Sequence, residues 1–223
     1  MKKVNREGIE FLVDNSTSNS EFWDLDCWEN DNYKIIKEFS SKCSCFVNAG
    51  AWIGPFTIFA SKIYPKVYCL EPDPLAYKEL KKNIEINNTL NIDVEFKALY
   101  NINTTIDLGS DYSDLGCSGT SIFQKNHGIK VDTITLREFF KTKSISKNSF
   151  LLLDVEGAEY VLFDDTDFFK EYSPIILIEF HTKFMNENQK NHFKKKLLCL
   201  SSFYKIDNDV LNFSKVHNLL RPL

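Results

Sequence analysis

Two uninterrupted apolar runs limit the fold of this chain more than any other feature. One is Ser149-Phe150-Leu151-Leu152-Leu153, closed by Asp154; the other is Ile175-Ile176-Leu177-Ile178, closed by Glu179. A strand with one wet face alternates apolar and polar side chains. These runs do not, so both faces are expected to be buried, as at the centre of a parallel sheet. Shorter runs upstream fit beside them: "CFVNA" (45–49), "KVYCLE" (66–71) and "IDVEFKAL" (92–99) read as strands. Helical patterns at 55–64 and 74–88 separate them. Strand, helix, strand, helix, strand is the signature of right-handed β-α-β units. The expected fold is α/β and doubly wound, with a mostly parallel sheet of about seven strands and helices on both faces.

The 223 residues fit a single domain. Residues 1–43 read as an N-terminal cap, 44–223 as the core, and 101–148 as an insertion within it. The cap is expected to hold a strand at 8–13 and a helix at 31–40. Its Trp23 and Trp28 either pack the cap onto the body or cover a pocket. Pro55 suits the first turn of its helix. Asp73 and Pro74 read as N-cap and first residue of the next, whose Tyr77, Leu80, Ile84 and Asn87 share one face. In the insertion, 109–121 reads as a Gly/Ser-rich loop, 128–134 as a strand, and 135–141 as a helix with a Thr135–Glu138 capping box. A helix with a basic side follows at 186–200. Residues 203–209 and 210–216 are expected to close the sheet as an antiparallel pair.

Hydrophobic residues make up 43% of the chain, enough for a sizeable core, and the formal charge is −4. An acidic balance argues against gripping nucleic acid by bulk charge. No apolar run approaches a membrane span, and "MKKVNREGIEFLVD" does not read as a signal peptide. The expectation is a cytoplasmic protein with reduced thiols, no membrane partner and no nucleic-acid partner. The cysteine spacing does not suit a zinc site; Cys45, Cys69 and Cys199 read as small core residues.

In an open parallel sheet, ligands bind outside the carboxyl ends of the strands. The first strand of the core ends at Asn48-Ala49-Gly50, the second at Glu71, and the two apolar runs at Asp154 and at Glu179-Phe180-His181. Gly50-x-x-x-Gly54 lets a backbone come close to something, although it lacks the G-x-G-x-x-G spacing of a dinucleotide fingerprint. Glu71 lies seventeen residues beyond Gly54, and one carboxylate can accept both hydroxyls of a ribose.

"FVNAGAWIG", "LEPDP", and "LLLDVEGAEYVLF" with "ILIEFH" together resemble the FkbM-type methyltransferase family over about residues 44–181. The resemblance implies a class I Rossmann-like fold and S-adenosylmethionine as cofactor. It implies that Asn48, Gly50, Ala51 and Gly54 approach the methionine part, that Glu71 holds the ribose, and that Pro72 packs on the adenine. Ser118 and Asp154 then line the same site. Two positions depart from the family pattern: Asn48 stands where Asp is usual, removing a charge, and Trp52 where a smaller residue is usual.

The family's association with O-methylation implies a small-molecule or glycan acceptor and a general base. Asp154, Glu179 and His181 are the candidates, because Glu179 and His181 lie two apart and face one side of a strand. Asp154, Glu156 and Glu159 either hold a divalent cation or bond the first amides of the next helix; the working expectation is that no metal is used. Other readings are a non-catalytic binding module, motivated by Asn48, and a nicotinamide-dependent oxidoreductase.

Overall fold

The structure is a computed structural model that describes residues 1–17, 19–25, 29–110, 115–121, 128–215 and 217–223. Trp28, Cys27 and part of the 109–121 loop lie outside the described residues. In chain order the strands are β1 (Lys2–Arg6), β2 (Ile9–Val13), β3 (Cys45–Ala49), β4 (Val67–Leu70), β5 (Ile92–Glu95), β6 (Ala98–Leu99), β7 (Thr105–Leu108), β8 (Ile129–Ile134), β9 (Ser149–Leu153), β10 (Ile175–Glu179), β11 (Tyr204–Lys205) and β12 (His217–Pro222). The helices are α1 (Asn30–Phe39), α2 (Pro55–Ser61), α3 (Pro74–Ile86), α4 (Leu136–Thr142), α5 (Glu159–Leu162), α6 (Thr166–Tyr172), α7 (Glu187–Leu200) and α8 (Asn208–Leu211).

Among the described residues, seven strands form the main sheet in the order β11-β12-β10-β9-β3-β4-β5. β5, β4, β3, β9 and β10 are parallel, while β12 and β11 are antiparallel additions at one edge. From β3 the chain winds outward to β4 and β5, then returns on the other side of β3 to β9 and β10. This reversal makes β3 the topological switch point, and a crevice opens at its carboxyl end.

The apolar runs are buried on both faces, as expected. Leu151 and Leu153 of β9 and Ile176 and Ile178 of β10 face one core layer, with Phe139, Phe140, Phe163 and Phe193. Phe150, Leu152 and Leu177 face the opposite layer, with Phe46, Ile58, Phe59 and the cap residues Trp23 and Tyr33. Phe46 and Phe150 stack across neighbouring strands with ring centroids 5.7 Å apart. Truncating such a side chain to Ala typically costs about 3–5 kcal/mol.

Several elements differ from expectation, each for a physical reason. The run 92–99 is not one strand: it breaks at Phe96-Lys97, and β6 leaves the main sheet to pair with β8 in a three-stranded sheet with β7. The second closing strand is β12, beyond 210–216, because Asp207 caps a short helix, α8, by accepting from Val210 N. Only half of the Thr135–Glu138 box forms. Thr135 Oγ1 accepts from Glu138 N at 3.1 Å, but Thr135 N donates to Asn103 Oδ1 at 2.9 Å instead of to Glu138. Of the expected α3 stripe, Leu80 is buried and Ile84 packs beside it, while Ala76, Glu79 and Asn83 complete the buried face in place of Tyr77 and Asn87. Cys45 and Cys69 are buried, whereas Cys199 is exposed.

The polar half of that α3 face carries the cap. β2 pairs with β1 through a tight turn whose two central residues, Glu7 and Gly8, have φ of 48° and 79°, the left-handed values that a twisted two-residue hairpin requires. Asn83 Oδ1 accepts from Asp14 N at 2.7 Å, and its Nδ2 donates to Ile53 O at 3.0 Å. Asn87 accepts from Leu12 N at 3.0 Å and donates back to Leu12 O at 2.6 Å. Trp23 is buried against Phe11 and Phe22, which supports its packing role. Among the described residues, no helix is long and apolar enough to cross a membrane.

Candidate active site

The carboxyl ends of β3, β4, β9 and β10 meet in one cavity of about 1040 Å³, including its open mouth. Gly50, Ala51, Glu71, Pro72, Ser118, Asp154 and Glu179 line it. Asn48, Gly54 and His181, expected there from the sequence, do not. Asn48 lies two residues short of the turn and is held under α2, where its Nδ2 donates to Thr57 Oγ1 at 2.9 Å and its buried Oδ1 has no hydrogen-bond partner.

The two glycines are needed first by the protein itself. A Cβ on Gly50 would lie 1.7 Å from Asp154 O, and its φ is +84°. A Cβ on Gly54 would lie 2.7 Å from Leu80 Cδ1, and its φ is +100°. Gly50 thus lets β3 turn tightly over the end of β9, and Gly54 lets the turn pack on α3. Trp52 between them also has positive φ, 47°, an uncommon conformation for a bulky residue. Its backbone N donates to Glu71 Oε2 at 2.6 Å, its Nε1 donates to Gly116 O at 2.9 Å, and its ring meets Phe22 edge-on at 4.6 Å. Trp52 therefore joins turn, cap and loop while lining the cavity.

Glu71 is buried, and its other oxygen accepts from Asp73 N at 2.8 Å. Burial pushes its carboxyl up to about 8, against the pull of those two amides. Asp73 caps α3 as expected, with Oδ1 accepting from Leu75 N and Ala76 N. Its Oδ2 accepts from Gly116 N at 2.6 Å and from Thr120 Oγ1 at 2.9 Å. This second role ties the 115–121 segment over the cavity.

The far wall is acidic. Glu29, Asp154, Glu156 and Glu179 line it, and Lys97 is the one cation among the described lining residues. Burial and the neighbouring Glu179 hold Asp154 well above the usual carboxylate range, despite the opposing pull of His181. Burial also raises Glu29, to about 7. Glu179 accepts from His217 at 2.9 Å. Burial would raise its carboxyl, but His181 and His217 outweigh that and hold it at about 2.

His181 is a correction to the sequence reading. It is 6% exposed and sits behind the cavity wall. Its Nδ1 is 2.8 Å from Glu159 Oε1, and its Nε2 lies 3.3 Å from both Glu156 and Glu179 and 3.7 Å from Asp154. Burial alone would lower its pKa; the surrounding carboxylates raise it far above the ordinary histidine value. The ring does not line the cavity, so it does not reach the proton of a bound acceptor. Glu159, fully buried, also accepts from Gly157 N at 3.2 Å, an amide of the turn before α5 rather than one of the first amides of that helix.

Lys97, Glu29, Trp52 and Thr120 were missed as lining residues. Lys97 carried a signal: a charge inside an otherwise strand-like run marks the break between β5 and β6. Glu29 and Thr120 carried none.

The Methyltransferase FkbM domain family matches residues 44–212. The chain belongs to this family. It is also 24% identical over 139 residues to Methyltransferase 1 of Beauveria bassiana (strain ARSEF 2860), covering 52% of this chain and 55% of that protein. The chain thus spans about half the length of the curated relative it matches. Among solved structures it is similar to methyltransferase FkbM of Methylobacillus flagellatus KT, with TM-score 0.49 and 14% identity, covering 87% of this chain and 51% of that one. It is similar also to M. jannaschii TYW2 in complex with AdoMet, with TM-score 0.45 and 16% identity, covering 99% and 86%. The cofactor of FkbM methyltransferases is S-adenosylmethionine, and the cavity fits it. A buried carboxylate, Glu71, faces the space a ribose needs, and the acidic wall suits a sulfonium and an ammonium.

Proposed function

We infer that this protein transfers a methyl group from S-adenosylmethionine to a hydroxyl of a small, polyhydroxylated acceptor such as a glycan. The observation that carries the acceptor class is the acidic wall: four carboxylates, Glu29, Asp154, Glu156 and Glu179, against one cation, Lys97, among the described lining residues. Such a wall repels phosphate-bearing polymers and accepts hydrogen bonds from neutral hydroxyls. Bound in the cavity, the cofactor supplies a methyl group on a positively charged sulfur with a neutral thioether as leaving group.

The chain's own residues do the rest. Gly50 and Ala51 with Glu71 and Pro72 hold the nucleoside cofactor at the switch point. Ser118, on the segment latched by Asp73, closes one side of the mouth. Asp154 and Glu179 line the space left for the acceptor, and Asp154 when ionised, the more basic of the two, takes the hydroxyl proton, help typically worth about 10²–10⁴-fold. Alignment of the two reactants supplies several kcal/mol more. Asn48 lies outside the cavity, so its missing charge gives no support to a non-catalytic role. The test is methyl release from labelled cofactor across neutral glycans, phenols and RNA. Turnover on RNA alone, or on none of them despite tight S-adenosylhomocysteine binding, would overturn this reading.

A further inference from the structure

We propose that Asp154, Glu156 and His181 form a divalent-cation site in the cavity wall, suited to a first-row ion such as Mn²⁺. One donor atom from each residue lies within 4.8 Å of the other two. An octahedral ion with bonds of about 2.1 Å needs its donors about 3.0–4.2 Å apart, so a small contraction completes the site.

Two independent features point to a ligand here. The first is the state of the carboxylates. Asp154 Oδ1 and Glu156 Oε2 are buried and have no hydrogen-bond partner. These are the same atoms that face His181 Nε2, at 3.7 and 3.3 Å. Two buried carboxylate oxygens that meet one ring nitrogen without a hydrogen bond to it are costly unless a cation joins all three. A proton on Nε2 offers a single N–H to three carboxylates and cannot satisfy them all.

The second feature is the histidine itself. It is 6% exposed, and its Nδ1 is bound at 2.8 Å by Glu159, a carboxylate that is itself 0% exposed and anchored by Gly157 N. Metal-bound histidines are oriented in this way, with a carboxylate on one ring nitrogen leaving the other aimed at the ion. Imidazole with carboxylates is a mixed nitrogen and oxygen donor set, which favours Mn²⁺ over Mg²⁺. Asp154 and Glu156 also line the cavity, so the open coordination positions face the acceptor. A hydroxyl bound there becomes more acidic. That use of the ion rests on the function proposed above; the site itself does not.

The test is Mn²⁺ titrated into the full-length, chelator-stripped chain, followed by electron paramagnetic resonance. One equivalent should bind, with nitrogen modulation from an imidazole. Glu156→Gln and His181→Gln should weaken binding at least tenfold, and Glu159→Gln by about 10–100-fold. Nitrogen modulation should vanish in His181→Gln and persist in His217→Gln; the reverse would move the ion to the neighbouring Glu29–Glu179–His217 cluster and overturn the assignment. If His181→Gln does not fold, the wild-type spectrum decides, and its lack of nitrogen modulation sinks the site. S-adenosylhomocysteine binding is measured on the same metal-free samples. Cofactor binding without Mn²⁺ binding removes the site and spares the methyltransferase reading. Mn²⁺ binding without cofactor binding does the opposite.

Discussion

Gly116 N donates to Asp73 Oδ2 at 2.6 Å, so the residue that caps α3 also latches a segment 43 positions away. One carboxylate does both jobs because each oxygen faces a different element. Asp73→Asn retains an oxygen for the helix and loses the charged latch. It should lower stability by less than about 1 kcal/mol while weakening S-adenosylhomocysteine binding about tenfold or more, the scale of a charge-assisted hydrogen bond. Asp73→Ala should add a capping loss of about 1 kcal/mol. Calorimetry beside urea unfolding checks both; equal affinity in Asp73→Asn would show that the latch does not shape the cavity.

Glu71 should give stability and cofactor affinity opposite pH dependences. Its carboxyl sits at about 8 in the folded chain against an ordinary 4.5. Between those values the unfolded chain has released a proton that the folded chain keeps. Stability fully present below pH 4.5 is therefore lost as pH rises to about 8, with a slope of at most about 1.4 kcal/mol per pH unit. The charge of Asp73 contributes to raising the Glu71 carboxyl. The ionised carboxylate accepts ribose hydroxyls better, so S-adenosylhomocysteine affinity should rise over the same window. Glu71→Gln should flatten both curves, and an unchanged pH profile in that variant would assign the titration elsewhere.

The two glycines should differ in what they tolerate. Gly50→Ala meets a backbone carbonyl at 1.7 Å, which cannot move without parting β3 from β9. It should fail to fold or lose more than about 4 kcal/mol, at the extreme of single substitutions. Gly54→Ala meets side chains rather than backbone, the end of Leu80 at 2.7 Å and of Ile58 at 3.2 Å. It should cost about 1–3 kcal/mol from backbone strain and remain folded. Thermal unfolding of the pair checks the contrast.

Asn83→Ala should cost about 2–3 kcal/mol, because it strands Asp14 N and Ile53 O, both bonded to the side-chain amide. Thr57→Val, nearly isosteric, should cost about 1–3 kcal/mol by removing the partner of the buried Asn48 amide. Urea unfolding reads each. Neither should change cofactor affinity in the folded protein, since neither residue lines the cavity.

The sequence showed the parallel sheet because β3, β9 and β10 write their burial in composition: a strand covered on both faces has few polar positions. It showed Asp73 and Pro55 because caps are local. It did not show β1, since "KKVNR" buries only Val4 and Arg6 and gains its place by pairing with β2. Nor did it show that His181 faces four carboxylates, because two come from the turn after β9 and one from the start of α5, and they meet it only in the folded sheet. The second role of Asp73 escaped for the same reason. Long-range polar contacts leave no periodic trace, whereas buried strands and helix caps do.

The pair of bonds between Asn87 and Leu12 reaches beyond the cap. A side-chain amide carries the same donor and acceptor as a peptide unit, and here it occupies the outer edge of β2 where another strand would otherwise add. Exposed strand edges are templates for self-association. By presenting a lone peptide mimic that cannot continue into a ladder, α3 ends the hairpin's edge at Leu12 and guards it against chain-to-chain aggregation.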